Sequence, residues 1–563
     1  MTIEWTAPAG GSWELETLHV RGGQPRIFQQ RAPRAFRDGF AGAAARYGLP
    51  IDYLDVRFVN DHCYARMRPV GAPEPTPGKA STPPPDLVLK LLARLHPELR
   101  RRTKTARRAI SQRLWHRDRR RWEEHDRPDM LATGRALQAE PLEQLDDHQL
   151  VAHLRRTADH FERGIAMHLG LTPVHNLPVG RLVQACRTWE IDDADTFSLL
   201  SGHSPASTAS AAGLAAIAAA CASAGVTPTT LDDVRAAGPA AHSALDSYLA
   251  DHAWRAVTQY SPRGLTLIEQ PDLLVQAIRA ATVPTPVPRP DVRTVLDRIP
   301  LADRHRFEDL LDDARRCYGI RDDNVALTFM WPAGLVRRAL LECGHRLAAR
   351  SVLAHEAHVF ALDEDEIASA LAGDTSLSEV AGSRAARLEA ADADGPPPHL
   401  GHDEGPPPDP ALFPAPIAEL LGAILLEFEL EAALQGEPAL QGEPGNEAHW
   451  SGDGIGIGTE SYTGRACVAP DAEDALARLR SGDVLVTTLT TPAFEAVMPI
   501  ASAVVTEVGG LMSHTAICCR EYGLPAVVRV AGATTHIPDG ALVTVDPSTG
   551  HVLIEAGITT TNQ

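Results

Sequence analysis

The chain has 563 residues, room for about three to five domains at roughly 100–200 residues each, and its 44% apolar and 22% charged residues exclude wholesale disorder. A net charge of −20 disfavours nonspecific nucleic-acid binding, which needs clustered positive charge. The 53 basic residues include only three lysines, Lys79, Lys90 and Lys104. From Thr105 to Gln563 this excludes both a Walker A loop and Schiff-base lysine chemistry, so any anion there must be met by arginine, backbone amides or a metal.

No run approaches about 18 uninterrupted apolar residues, the Ala211–Ala220 stretch being short and weakly hydrophobic, so no membrane span is expected. Met1-Thr2-Ile3-Glu4-Trp5 has neither a basic leader nor an apolar core, which argues against secretion. Eight cysteines without a CxxC, one pair adjacent (Cys518-Cys519), read as reduced thiols of a cytoplasmic protein.

In chain order, residues 1–86 read as a small α/β region. A strand is predicted over Leu15–Val20, a helix opening at Asp38-Gly39-Phe40 and running to Arg46, and strand alternation over Ile51–Tyr64. Asn60-Asp61-His62-Cys63-Tyr64 is a polar insert, either loop or pocket lining. Six prolines between Gly71 and Asp86 mark a linker. Residues 87–389 carry helical spacing, interrupted at Pro284–Pro290. Residues 390–450 read as a linker with one helix, Ile417–Leu434: Ala390–Pro416 is proline-rich and acidic, hence extended or disordered, and Ala-Leu-Gln-Gly-Glu-Pro occurs twice at 433–444 as a spacer. Residues 451–563 switch to short β-branched runs between glycine turns, at 483–487, 503–506, 525–528 and 542–545, the pattern of a compact α/β domain on a tether.

The densest chemical cluster is Thr506–Ile517. A strand ends at Thr506, Gly509 and Gly510 permit unusual backbone angles, and Ser513 can cap a helix starting at His514. The imidazole then sits where first-turn amides and the helix dipole favour an added phosphoryl group. A capped helix start with an incidental histidine fits the same spacing.

The string Gly509-Gly510-x-x-Ser513-His514-Thr515-Ala516-Ile517-x-x-Arg520-Glu521-x-Gly523-Leu524-Pro525-Ala526-Val527 resembles the phosphohistidine swivelling domain of the phosphoenolpyruvate-utilising enzyme family. The flanking Gly464-Arg465-Ala466, Gly482–Val486, Asp539-Gly540 and Val545-Asp546 agree with it. More weakly, Arg321-Asp322-Asp323-Asn324, Leu335–Leu341, Arg346-Leu347 and Val359–Leu362 resemble the central substrate domain as it occurs in phenylphosphate synthase and rifampin phosphotransferase.

The resemblance implies a multidomain α/β protein, with a mostly helical substrate domain and a C-terminal swivelling β/β/α domain. It makes His514 the phosphorylated residue, with Ser513 and Thr515 beside it in the catalytic set. Arg321, Asp322, Asp323, Asn324, Gly509 and Gly510 become substrate-binding candidates, although a helix-terminal ion cluster explains the first four equally well. Arg520 and Glu521 are read as holding the helix in place. Neither an ATP-grasp nor a TIM-barrel donor domain fits, since the first 104 residues are too short for the former and the lysine-free remainder reads as helical.

The expected function is therefore a phosphotransferase component that carries a phosphoryl group to a hydroxylated small molecule, with Mg2+ and ATP supplied through an ATP-grasp partner subunit. The alternative is a nucleotide-independent dehydratase or cyclase of natural-product biosynthesis using His514 as general acid/base, with no cofactor. No nucleic acid, membrane or protein-held metal enters either reading. His355-Glu356-Ala357-His358 is one residue short of HExxH, Gly454–Gly458 lacks a Rossmann context, and Arg100–Arg121 reads as a solvated amphipathic helix.

Overall fold

The computed structural model describes residues 3–16, 20, 22–76, 84–281, 291–402, 407–432, 450–490, 494 and 497–555. The helices used below are α1 (Arg26–Tyr47), α2 (Asp147–Thr188), α3 (Pro205–Ser223), α4 (Pro239–His252), α5 (Pro271–Ala280), α6 (Arg304–Tyr318), α7 (Ile320–Val325), α8 (Trp331–Ala349) and α9 (His514–Tyr522). Two compact units share the chain. The first takes residues 1–174, 254–266 and 324–422, and the second 175–253, 267–323 and 423–563. The cut between them divides the predicted helical domain 87–389, so that α2 and α7 each give residues to both units.

The first unit contains a four-stranded sheet of order β2-β3-β1-β4, with β1 Ser12–Leu15, β2 Ile51–Val59, β3 His62–Pro69 and β4 His399–Gly401. Strand β1 therefore begins three residues before the predicted Leu15, and residues 17–19 of that prediction lie outside the described residues. Asn60 and Asp61 both have positive φ (47° and 67°), the geometry of a two-residue hairpin turn, so this pair joins β2 to β3 while His62-Cys63-Tyr64 of the polar insert open β3. Helix α1 starts twelve residues earlier than Asp38 and carries Pro33 inside it. Its Gly39 is a close-approach position: a Cβ there would stand 2.4 Å from the Ala166 carbonyl oxygen of α2. The core gathers Phe28, Phe36, Phe161 and Phe329 with Val336 and Leu340 of α8.

Part of the predicted linker belongs to this sheet. Strand β4 pairs antiparallel with β1, Trp13 opposite Leu400, the Tyr64 hydroxyl donates to the Pro397 carbonyl at 2.9 Å, and the Leu15 amide to that of Pro398. The linker helix runs Ala415–Ala432, and the duplicated hexapeptide lies outside the described residues.

In the second unit an eight-stranded sheet has the order β5-β12-β11-β7-β8-β9-β10-β6 (β5 Ser451–Asp453, β6 Ile455–Ile457, β7 Tyr462–Val468, β8 Asp483–Thr487, β9 Ala503–Thr506, β10 Ala526–Val528, β11 Leu542–Asp546, β12 His551–Ile554). The run β7-β8-β9-β10 is parallel, and the strands β8 and β9 are buried throughout, as expected where both sheet faces are covered. One face holds Val484, Val505, Val527, Val543 and Val545. The other merges with the helical part of the unit: Leu199, Leu214, Leu274 and Ile278 share one apolar core with Leu476, Met498, Met512 and Ile517. The C-terminal domain is thus packed on helices of its own unit rather than only hung from a tether.

Among the described residues one helix, α3, is long and apolar enough by length and composition to cross a membrane. The continuous-run criterion applied to the sequence missed it because serines and threonines punctuate the alanines. Its buried residues, Ser207, Ser210, Ala211, Leu214, Ala215, Ile217 and Cys221, face protein, and it packs on α4, α5 and α9.

Candidate functional site

The site forms at the carboxyl ends of β8 and β9, where open α/β sheets place ligands. In-register Thr487 and Thr506 end these strands, fully buried, their hydroxyls without a partner among the described residues. The chain after β8 delivers Thr490, and the chain after β9 turns through Gly509 and Gly510 into Ser513. Gly509 has φ 153°, and a Cβ there would lie 3.1 Å from Val528 Cβ and 3.3 Å from Thr506 Oγ1, so a side chain would strain the backbone and crowd both neighbours.

Ser513 is the N-cap of α9: its hydroxyl accepts from the Ala516 amide at 3.2 Å. This engages Ser513 in helix capping. His514 is the first helical residue and the only one from Leu511 to Arg520 that is not buried. Its ring is held at both nitrogens. Nδ1 lies 3.1 Å from Thr490 Oγ1, which is 2.8 Å from Thr515 Oγ1, and Nε2 lies 3.5 Å from Cys518 Sγ. Thr515 therefore touches the histidine through Thr490. Thr490 and Cys518, 6% and 1% exposed, are the site residues that sequence reasoning missed. The available signal for Cys518 was its i+4 spacing from His514 on a helix.

The other end of α9 meets the helical part of the unit. The Arg520 guanidinium lies over the Phe197 ring at 4.9 Å and faces the Tyr318 hydroxyl of α6. Burial pulls Arg520 below its ordinary pKa, against the Tyr318 phenol, and pushes the Tyr318 phenol up. Glu521 accepts from the Gly202 amide at 3.0 Å, and burial, with Asp322 adding to it, holds its carboxyl above the ordinary value against the amides that donate to it. Tyr522 donates to the Ser207 carbonyl at 3.3 Å. Arg520 and Glu521 thus fix α9 to its surroundings, as the sequence suggested.

Within the second unit, Asp322 meets the far end of α9 rather than the imidazole. Asp322 accepts from the Ser204 hydroxyl at 2.8 Å and from that of Ser207, beside Glu521, which the helical rise places about 10 Å along α9 from His514. Arg321 neighbours His175, whose pKa falls to about 3 through burial first and the guanidinium second. Asp323 ends the second unit's share of α7. Asn324 belongs to the first unit, where its side chain donates to the His168 carbonyl at 3.3 Å and accepts from Thr328 at 2.9 Å. Gly509 and Gly510 do lie in the turn leading to His514.

Among the described residues, no group of three or more His, Cys, Asp or Glu is arranged to hold a metal ion. His355 and His358 stack edge to face at 5.2 Å on a short 3₁₀ turn, not on one face of an α-helix.

Residues 479–550 match the family described as PEP-utilising enzyme, mobile domain. The chain is 49% identical over 90 residues to a phosphoenolpyruvate synthase of Aeropyrum pernix, covering 16% of this chain and 11% of the relative. It is 45% identical over 101 residues to a rifampicin phosphotransferase of Streptomyces sviceus, 18% and 11% of the two chains. A longer match, 30% over 235 residues, joins it to the uncharacterized phosphotransferase YvkC of Bacillus subtilis, 42% of this chain and 25% of that one. The matches thus span between a tenth and a quarter of these relatives' lengths.

Proposed function

We propose, from the premise that its C-terminal domain makes this chain a member of the phosphoenolpyruvate-utilising enzymes, that it is a phosphotransferase component in which His514 carries the phosphoryl group. The observation that carries the reading is the imidazole itself: half-buried at the first turn of α9, aimed by Thr490, in an otherwise buried segment. An oxygen accepts an N–H better than sulfur does, so Nδ1–H points at Thr490, whose own proton goes to Thr515. Nε2 then has the lone pair that attacks phosphorus, and the first-turn amides meet the added charge without a lysine.

The acceptor is a hydroxylated small molecule. The donor is ATP with Mg2+ on a partner subunit of the ATP-grasp type, a division suited to a chain without lysine after Lys104. No step at His514 is routed through a metal held by this chain. Arg321, Asp322 and Asp323 serve the acceptor only if it reaches the α7 end of the unit.

The second reading, a dehydratase or cyclase with His514 as general acid/base, is favoured by one observation: α9 is fastened at Arg520, Glu521 and Tyr522, as a stationary catalytic group would be. Intact mass after incubation with ATP and an ATP-grasp phosphotransferase subunit separates the two. Acid-labile phosphate on His514 supports the first. Its absence, with conversion of a hydroxylated substrate without nucleotide, supports the second.

A further inference from the structure

The helix Asp86–Leu95 of the first unit is built inside out. It packs on the helix Pro97–Ser111 and on the turn Pro410–Leu412, and its one buried residue is the small Ala93, with Leu89 half-buried. The leucine-rich face points to solvent: Leu87 is 79% exposed, Leu95 62%, Leu91 57%, and Val88 and Leu92 43% each. Of the eleven exposed large apolar side chains among the described residues, five therefore sit on these ten residues. At 100° per residue they fill a single arc of about 140°, and Val88, Leu91, Leu92 and Leu95 keep the i, i+3, i+4, i+7 spacing with which a helix enters an apolar groove. A contiguous exposed patch of this kind marks an interface.

One edge of the arc is basic. Going round the helix, Arg94 follows Leu87 and Lys90 follows Arg94, and the next helix adds Arg100, Lys104 and Arg107. All five are exposed, and none has an ion-pair partner among the described residues. On a chain of net charge −20 this is a local reversal of sign, and it holds two of the three lysines.

We propose that the helix Asp86–Leu95 is a docking element for another protein, one whose apolar groove carries a carboxylate rim. Charge decides between the occupants. In a two-fold antiparallel pair of copies, the basic edge of one helix meets the same edge of the other, setting Lys90 and Arg94 against their own kind. An anionic bilayer repels the chain as a whole, and the helix has none of the Trp or Phe that anchor interfacial helices. An acidic protein rim meets Lys90 and Arg94 with opposite charge, while the groove takes the leucines out of water. The surface belongs to the first unit and owes nothing to the chemistry assigned to His514.

The test uses the full chain and two fluorescein-labelled two-helix peptides with the same leucine-lined groove, one rimmed with glutamate and the other with lysine. Binding is read by fluorescence anisotropy. The glutamate-rimmed peptide is expected to bind at least about tenfold tighter, because like charges across an interface are strongly unfavourable. Leu91→Gln should weaken it about tenfold, the worth of one leucine taken out of water. Lys90→Glu combined with Arg94→Glu should invert the preference between the peptides.

These positions are exposed, so thermal melts should match wild type, and Leu87→Gln repeats the measurement if Leu91→Gln melts early. Equal affinity for the two peptides, binding of neither, or binding that survives both leucine substitutions overturns the proposal. Sedimentation velocity and binding to phosphatidylserine-containing vesicles are run on the same proteins. A dimer that Leu91→Gln abolishes assigns the face to a second copy, vesicle binding that it abolishes assigns the face to lipid, and either result overturns the proposal as well.

Discussion

Thr490→Val tests the geometry of the site at a residue outside the histidine motif. The hydroxyl is 6% exposed and joins two partners, His514 Nδ1 at 3.1 Å and Thr515 Oγ1 at 2.8 Å. Valine keeps the shape and removes the oxygen, so the Nδ1–H loses its acceptor and the Thr515 hydroxyl its neighbour. Leaving a buried donor unsatisfied costs about 1–3 kcal/mol, which is roughly a five- to 150-fold loss if it falls on the ring state that accepts phosphorus. Part of the cost will be relieved by rotation of the half-buried ring toward solvent, so the lower half of that range is expected. The assay is the initial rate of acid-labile phosphate formation on His514, with a thermal melt of the same preparation. Thr490→Ser should recover most of the rate, because it restores the oxygen. A Thr490→Val protein that melts normally and is phosphorylated at the wild-type rate would refute the argument that Thr490 aims the ring.

Three further outcomes follow from the same contacts. His514→Ala should abolish turnover under either reading; since positioned acid–base groups alone contribute about 10²–10⁴-fold, retention of more than roughly a tenth of the rate removes His514 from the chemistry. The Glu521 carboxyl is raised by burial, so the folded state binds the proton more tightly than the unfolded one. Its contribution to stability is full below the ordinary carboxyl value of about 4.3 and is lost as pH rises toward the raised value, and Glu521→Gln should flatten that part of a stability–pH profile measured by denaturant unfolding. Asp322→Ala leaves the Ser204 and Ser207 hydroxyls without their carboxylate and should cost about 1–3 kcal/mol in stability, while the rate of His514 phosphorylation by a small donor stays unchanged; a fall in that rate would return Asp322 to the site.

What the sequence made legible was local. The strand ending at Thr506, the glycine turn and the Ser513 cap lie within one short run of residues, and each obeys a rule of backbone chemistry that needs no distant partner. Thr490 was not legible, because it reaches His514 only through the parallel pairing of β8 with β9, which sets Thr487 opposite Thr506. Cys518 sat in plain view at i+4 but was read as part of an apolar face. The Arg321–Asn324 run shows the converse: adjacent residues on a helix point about 100° apart, so a dense polar run spreads its side chains among different neighbours. Serines took Asp322, and Thr328 with the His168 carbonyl took Asn324.

Proline misled in a similar way. Pro397 and Pro398 lack donors but keep their carbonyls, and those accept from Tyr64 and Leu15, so a stretch that reads as free tether closes a sheet edge. This bears on how a phosphoryl-bearing His514 would travel. The first part of the supposed tether is occupied as β4, and α9 is fastened at three successive residues. For the domain to leave its helices, the Arg520–Phe197 contact, the Glu521–Gly202 bond and the Tyr522–Ser207 bond must break together, along with the apolar contact beneath them. Each polar contact is worth on the order of 0.5–1.5 kcal/mol net. Their sum is a few kcal/mol, and the shared core of Leu199, Leu214, Leu274 and Ile278 with Leu476, Met498, Met512 and Ile517, at about 1.5–3 kcal/mol for each side chain exposed, adds more than that, so the fastening strongly favours the docked state. The Arg520 and Glu521 side chains would then raise the cost of any undocking that carries His514 to a donor, although neither touches the imidazole.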